Sequence, residues 1–63
     1  MTYAEAIKAL RKKMLITQTE LAAQLGVAFV SVNRWENGAY EPTMKAKRKL
    51  ATLFKQYDIA LEE

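Results

Sequence analysis

Two neighbouring side chains, Asn33 and Arg34, stand in the stretch GVAFVSVNRWENG, between Gly26 and Gly38. Asn carries a donor and an acceptor side by side, and Arg carries a planar fork of donors. Those are the groups that pair bidentately with adenine N6 and N7 and with guanine O6 and N7, each worth about 1–3 kcal/mol of discrimination. Arg34 suits a second chemistry equally, the holding of a phosphate. At about 100° per residue the segment sorts into two faces. Ala28, Val32 and Trp35, with Ser31 at the edge, form the side expected to meet a core, and Glu36 lies between the faces. Phe29, Val30, Asn33, Arg34 and Asn37 form the other. Three of those five suit solvent, while Phe29 and Val30 require another explanation.

The elements that position this segment follow from capping signals and apolar spacing. Thr2 with Glu5 and Thr17 with Glu20 each fit a capping box, in which the threonine accepts from an orphan amide and the glutamate reaches back. The first opens a helix from about Tyr3 to Met14, with Ile7, Leu10 and Met14 on one stripe. The second opens a helix with Leu21, Ala22 and Leu25 turned inward, ended by Gly26 in the left-handed region. The third helix begins near Ala28 and closes at Asn37-Gly38. Past Pro42, Thr43 caps a fourth helix reaching Tyr57, with Leu50, Leu53, Phe54 and Tyr57 on its buried side. The terminal DIALEE, residues 58–63, is expected to be an acidic, frayed tail. Without any strand pattern or repeat, the fold class is all-α, a bundle of four, at most five, short helices.

Composition sets bounds on function. A chain of 63 residues makes one small domain, residues 1–63, and a domain of that size buries only about 60% of its unfolded surface. Without cysteine there is no disulfide or thiolate metal site, and without histidine the commonest general base and metal ligand is missing. No constellation joins a nucleophile, a base and a pocket, so the expectation is a protein that is not an enzyme and needs no cofactor or metal. Apolar runs are too short to span a bilayer, and no charged leader precedes an apolar segment. The expected setting is cytoplasmic, with no membrane partner. The net charge is +3, but residues 1–57 hold ten bases against four acids. Lys8, Arg11, Lys12 and Lys13 form one basic group, and Lys45, Lys47, Arg48 and Lys49 another. Such clusters with a pI near 9.4 fit a nucleic-acid binder, or equally well a set of solvated helix faces. The bases in the first half of the fourth helix oppose its macrodipole, so local helix energetics does not explain them.

Two short helices joined by a tight glycine turn are the helix-turn-helix unit, here residues 17–37. The run TQTELAAQLGVAFVSVNRWENGAYEP, residues 17–42, resembles the Cro and phage-repressor (XRE) family. The resemblance rests on Gln18, Leu21-Ala22, Leu25-Gly26-Val27 and Arg34-Trp35-Glu36-Asn37-Gly38, and covers roughly residues 5–56. It implies a lambda-repressor-like domain that binds double-stranded DNA through a major-groove recognition helix, as a transcriptional repressor in a bacterial or phage-type nucleoid. It also implies roles for particular residues. Phe29, Val30, Asn33 and Arg34 would read bases, the first two by touching the thymine methyl group. Gln18, in the first turn of its helix where anions are favoured, would contact phosphate or a neighbouring base. Asn37, Thr43 and Lys45 would contact the phosphate backbone. Arg11 and Glu36 would form a structural ion pair.

Three positions depart from the family pattern: Leu15 replaces a common turn glycine, Ala28 replaces a capping serine or threonine, and no clear fifth helix follows. The last bears on a homodimer, because relatives commonly pair through that helix. The resemblance also allows a different function, an adaptor, antitoxin or bridging factor whose exposed Phe29 and Val30 meet another protein.

Overall fold

A computed structural model describes residues 1–61; Glu62 and Glu63, the end of the expected acidic tail, lie outside the described residues. Four helices follow one another: α1 Tyr3–Met14, α2 Gln18–Leu25, α3 Phe29–Glu36 and α4 Met44–Gln56. No strand occurs among the described residues. Both capping boxes form. The Glu5 amide donates to Thr2 Oγ1 and the Thr2 amide to Glu5 Oε1; Thr17 and Glu20 repeat the exchange at α2. Thr43 caps α4 by accepting from the Ala46 amide at 3.3 Å.

All four helices end alike. Leu15, Gly26, Gly38 and Asp58 take the left-handed conformation. Behind each of them the next residue's amide returns to a carbonyl five positions back: Ile16 to Arg11, Val27 to Ala22, Ala39 to Arg34 and Ile59 to Phe54. These are Schellman closures, which satisfy the orphan carbonyls of a helix end. Gly26 and Gly38 adopt the conformation without a Cβ penalty, whereas Leu15 and Asp58 bear it.

The core is one cluster drawn from every helix. Ile7, Leu10, Leu21, Val32 and Leu50 are wholly buried, joined by Ala6, Ala22, Leu25, Trp35, Ala46 and Phe54. Fully burying a large aliphatic or aromatic side chain contributes about 1.5–3 kcal/mol, so these residues supply most of what orders a chain this short. α3 packs on α1 and α2, and α4 packs on the same two helices. Ala22, 3% exposed, belongs to this core, and its small side chain suits the close packing of α2 on α3.

Three expectations are corrected. Ala28 is the exposed residue preceding α3, with extended backbone and no capping bond from its side chain, so it does not join the core face. The buried line of α4 is Ala46, Leu50 and Phe54, four residues apart, which leaves Leu53 and Tyr57 half-buried at its margin. Residues 58–61 also do not hang free: the closure at Asp58 turns Ile59 and Leu61 back against the core. The apolar members of DIALEE decide that outcome over its acids, because burying them outweighs ordering one short turn.

Candidate nucleic-acid interface

α3 divides as its periodicity predicts, apart from Ala28. Val32, Trp35 and Glu36 are buried; Phe29 and Val30 are 49% and 46% exposed. Asn33 is half-buried beside them, and Arg34 and Asn37 are exposed. Phe29, Val30, Asn33, Arg34 and Asn37 therefore share one accessible face. The remaining residues named from the sequence fall into two groups, one joined to α3 and one on α4.

Arg11 and Glu36 join α1 to the end of α3. Arg11 Nε donates to Glu36 Oε2 at 2.5 Å and Nη2 to Oε1 at 2.9 Å, while Nη1 reaches the Ile16 carbonyl. The Glu36 carboxylate is the buried charged group of the core, with a side chain 3% exposed. Burial by itself pushes its pKa up, but the bonds from Arg11 and Gln18 and the guanidinium charge together outweigh burial and hold it below the ordinary carboxylate value. Arg11 is raised by its bond to Glu36 against its own desolvation. The pair stays ionised.

Gln18 is drawn into the same arrangement. Its Nε2 donates to Glu36 Oε1 at 3.1 Å, and its Oε1 accepts from Asn33 Nδ2 at 3.3 Å. Asn33 Oδ1 in turn accepts from Asn37 Nδ2 at 3.2 Å. A line of side chains thus runs from the buried ion pair to the accessible face of α3. Gln18 keeps one side-chain amide hydrogen beyond these bonds, and the backbone amides of Gln18 and Thr19, in the opening turn of α2, have no partner within the helix.

On α4, Thr43 uses its hydroxyl oxygen to cap the helix, and Lys45 is exposed. The other members of that basic cluster divide. Lys49 Nζ donates to the Leu25 carbonyl at 3.0 Å, at the C-terminus of α2, and Lys47 Nζ bonds Glu41 at 3.1 Å while standing 4.9 Å from the Tyr3 ring centre. Lys13, from the first cluster, donates to the Tyr57 carbonyl at the end of α4. A cation at a helix C-terminus meets the negative end of the dipole. Lys49 is therefore favourable for the end of a neighbouring helix, a pairing invisible to local reasoning.

One participant escaped the sequence reading altogether. Arg34 lies over the Tyr40 ring, 5.3 Å from its centre, in the loop after α3. Tyr40 is 61% exposed, and nothing in AYEP marks it as a partner of the recognition helix. A tyrosine in a turn is ordinary; only the Gly38 closure, which folds the loop back along α3, brings it to Arg34.

Among the described residues no group of acidic, histidine or cysteine side chains is placed to hold a metal ion, and no helix is long and apolar enough to cross a membrane. A helix-turn-helix family profile matches residues 7–61. Over 45 residues, 71% of this chain, the sequence is 44% identical to the HTH-type transcriptional regulator DicA of Escherichia coli (strain K12), and the match spans 33% of that regulator's length. No solved structure matches significantly. With the capping boxes, the glycine turn and the Arg-Trp-Glu-Asn-Gly end of α3 in place, and a family match running through all four helices, the chain belongs to the helix-turn-helix family of the XRE type.

Proposed function

We propose that the chain binds double-stranded DNA sequence-specifically as a transcriptional regulator, laying α3 in the major groove and acting as a repressor by occupying its operator. The observation that carries this reading is the single accessible face of α3, on which two apolar and three polar side chains stand beside the start of α2. Asn33 and Arg34 supply bidentate pairing, and Phe29 and Val30 supply contact with thymine methyl groups. That role gives the half-exposed apolar pair a partner that a solvated helix face lacks. Phosphate contacts come from Asn37, Thr43, Lys45 and the free amide hydrogen of Gln18, beside the opening amides of α2. The likeness to a regulator by name supports the same class of activity. The protein works in the cytoplasm, on the nucleoid, by binding alone and without catalysis. If it acts as a homodimer, its half-sites lie about 34 Å apart.

The test is selection from a randomised duplex pool at moderate salt, followed by sequencing of the retained fraction. The expected result is a motif containing thymines whose preference disappears in Phe29→Ala or Val30→Ala. Binding should weaken steeply with salt, and Lys45→Ala should reduce the slope by about 0.9. The exposed apolar pair also motivates a second reading, an adaptor that docks another protein there. Absence of retention even at low salt would sink the DNA reading in favour of that one.

A further inference from the structure

From Val27 to Val30 the chain carries no hydrogen-bonding side chain: Val27 and Ala28 precede α3, and Phe29 and Val30 begin it. Val27 is half-buried, Ala28 is exposed, and Phe29 and Val30 each leave about half of their surface to solvent. The polar side chains of this face lie further along α3 and are tied elsewhere. Asn33, one turn on, bonds Gln18 and Asn37. Arg34 stands five residues beyond Phe29, about 7.5 Å along the axis, and lies over the Tyr40 ring in the loop past α3. Side chains at the start of α3 can therefore recognise a methyl group, but not the donor or acceptor of a pyrimidine.

In the major groove thymine differs from cytosine in two ways, a C5-methyl group and an O4 acceptor in place of an N4 donor. Methylation of cytosine at C5 removes the first difference and leaves the second. We propose that Phe29 and Val30 recognise the C5-methyl group of a pyrimidine whichever base bears it, so that C5-methylation of a cytosine in the binding site strengthens binding. The inference rests on the DNA-binding reading above and adds the modification state of the DNA as a determinant of affinity. An apolar side chain that covers one methyl group gains about three- to fourfold in affinity. Neither O4 nor N4 finds a partner in it, so the pair does not distinguish the two methylated bases.

The experiment uses duplexes carrying the selected motif, with each thymine in turn replaced by deoxyuridine, by cytosine or by 5-methylcytosine, guanine standing opposite the last two. Dissociation constants are measured for the unmodified protein and for Phe29→Ala and Val30→Ala. At one or more thymines, deoxyuridine should weaken binding about three- to fourfold, and 5-methylcytosine should bind tighter than cytosine by the same factor. Both effects should shrink in the two variants, whose changes fall on exposed side chains outside the core. A thymine methyl effect without a cytosine methyl effect would show that the 4-position is read as well, and would overturn the proposal. So would the absence of either effect in the unmodified protein, a result that does not depend on the variants folding, or methyl effects that persist undiminished in both variants. Selection of no motif by the unmodified protein would overturn the DNA reading itself, and the methyl readout with it.

Discussion

Arg11 in α1 and Glu36 at the end of α3 lie 25 positions apart and meet through two hydrogen bonds of 2.5 and 2.9 Å. The guanidinium is only a quarter exposed and the carboxylate almost wholly buried. Removing one partner of such a pair leaves an uncompensated charge in the core, which costs far more than the net worth of the pair. Arg11→Met should therefore lower stability by about 3 kcal/mol, a drop of more than about 10 °C in melting temperature for a domain this small. Weaker DNA binding by this variant at an unchanged melting temperature would show instead that Arg11 contacts the phosphate backbone.

Acid should act through the same carboxylate. Glu36 has a folded-state pKa below its unfolded value: burial raises it, and the bonds from Arg11 and Gln18 and the Arg11 charge together lower it more. Its contribution to stability is therefore fully present above the unfolded value of about 4.3 and is lost as pH falls through the folded one. Glu5, lowered chiefly by the Thr2 amide, acts in the same direction from an exposed site. Melting followed by circular dichroism from about pH 6 to pH 2 should show a fall beginning near pH 4. Glu36→Gln should melt lower at neutral pH with a flatter acid limb; parallel curves would place the acid sensitivity elsewhere.

Two positions leave stability unrealised. Leu15 holds a left-handed φ of 59° with its side chain 88% exposed, so it bears the Cβ penalty and gains little packing. Ala28 stands at the N-cap of α3 without a side-chain acceptor. Leu15→Gly and Ala28→Ser should each add about 1 kcal/mol in denaturant unfolding. A loss of stability in Leu15→Gly would mean that the leucine has packing that its exposure conceals.

The stack of Arg34 on Tyr40 should be felt in selectivity more than in affinity. An exposed cation–π contact contributes about 0.5–1 kcal/mol, so Tyr40→Leu should weaken the preference that depends on Arg34 by roughly two- to fivefold. Tyr40→Phe retains the ring and should retain the preference. Equal losses in both variants would point to the hydroxyl in place of the ring.

Much of this architecture is determined by neighbouring residues and was legible in the sequence. Thr2 with Glu5 and Thr17 with Glu20 fix two helix starts because a capping box is complete within four residues. Gly26 and Gly38 end their helices because few other residues hold a positive φ without strain. The accessible face of α3 likewise follows from its own periodicity, with Ala28 misplaced because one residue of error at a helix start removes it from the face.

What only the tertiary structure decided joins residues far apart in the chain. Lys49 on the Leu25 carbonyl and Lys13 on that of Tyr57 are 24 and 44 positions from their partners, so the basic clusters could not be divided into structural and free members by inspection. Gln18 could be placed at the start of a helix, but its orientation between Glu36 and Asn33 depends on how α2 crosses α3. Ile59 and Leu61 likewise return to the core because an apolar surface built by the rest of the chain is there to receive them. Local chemistry determined the helices and the face of α3. Burial, which joins distant residues around one shared core, determined which polar groups on that face are held in place.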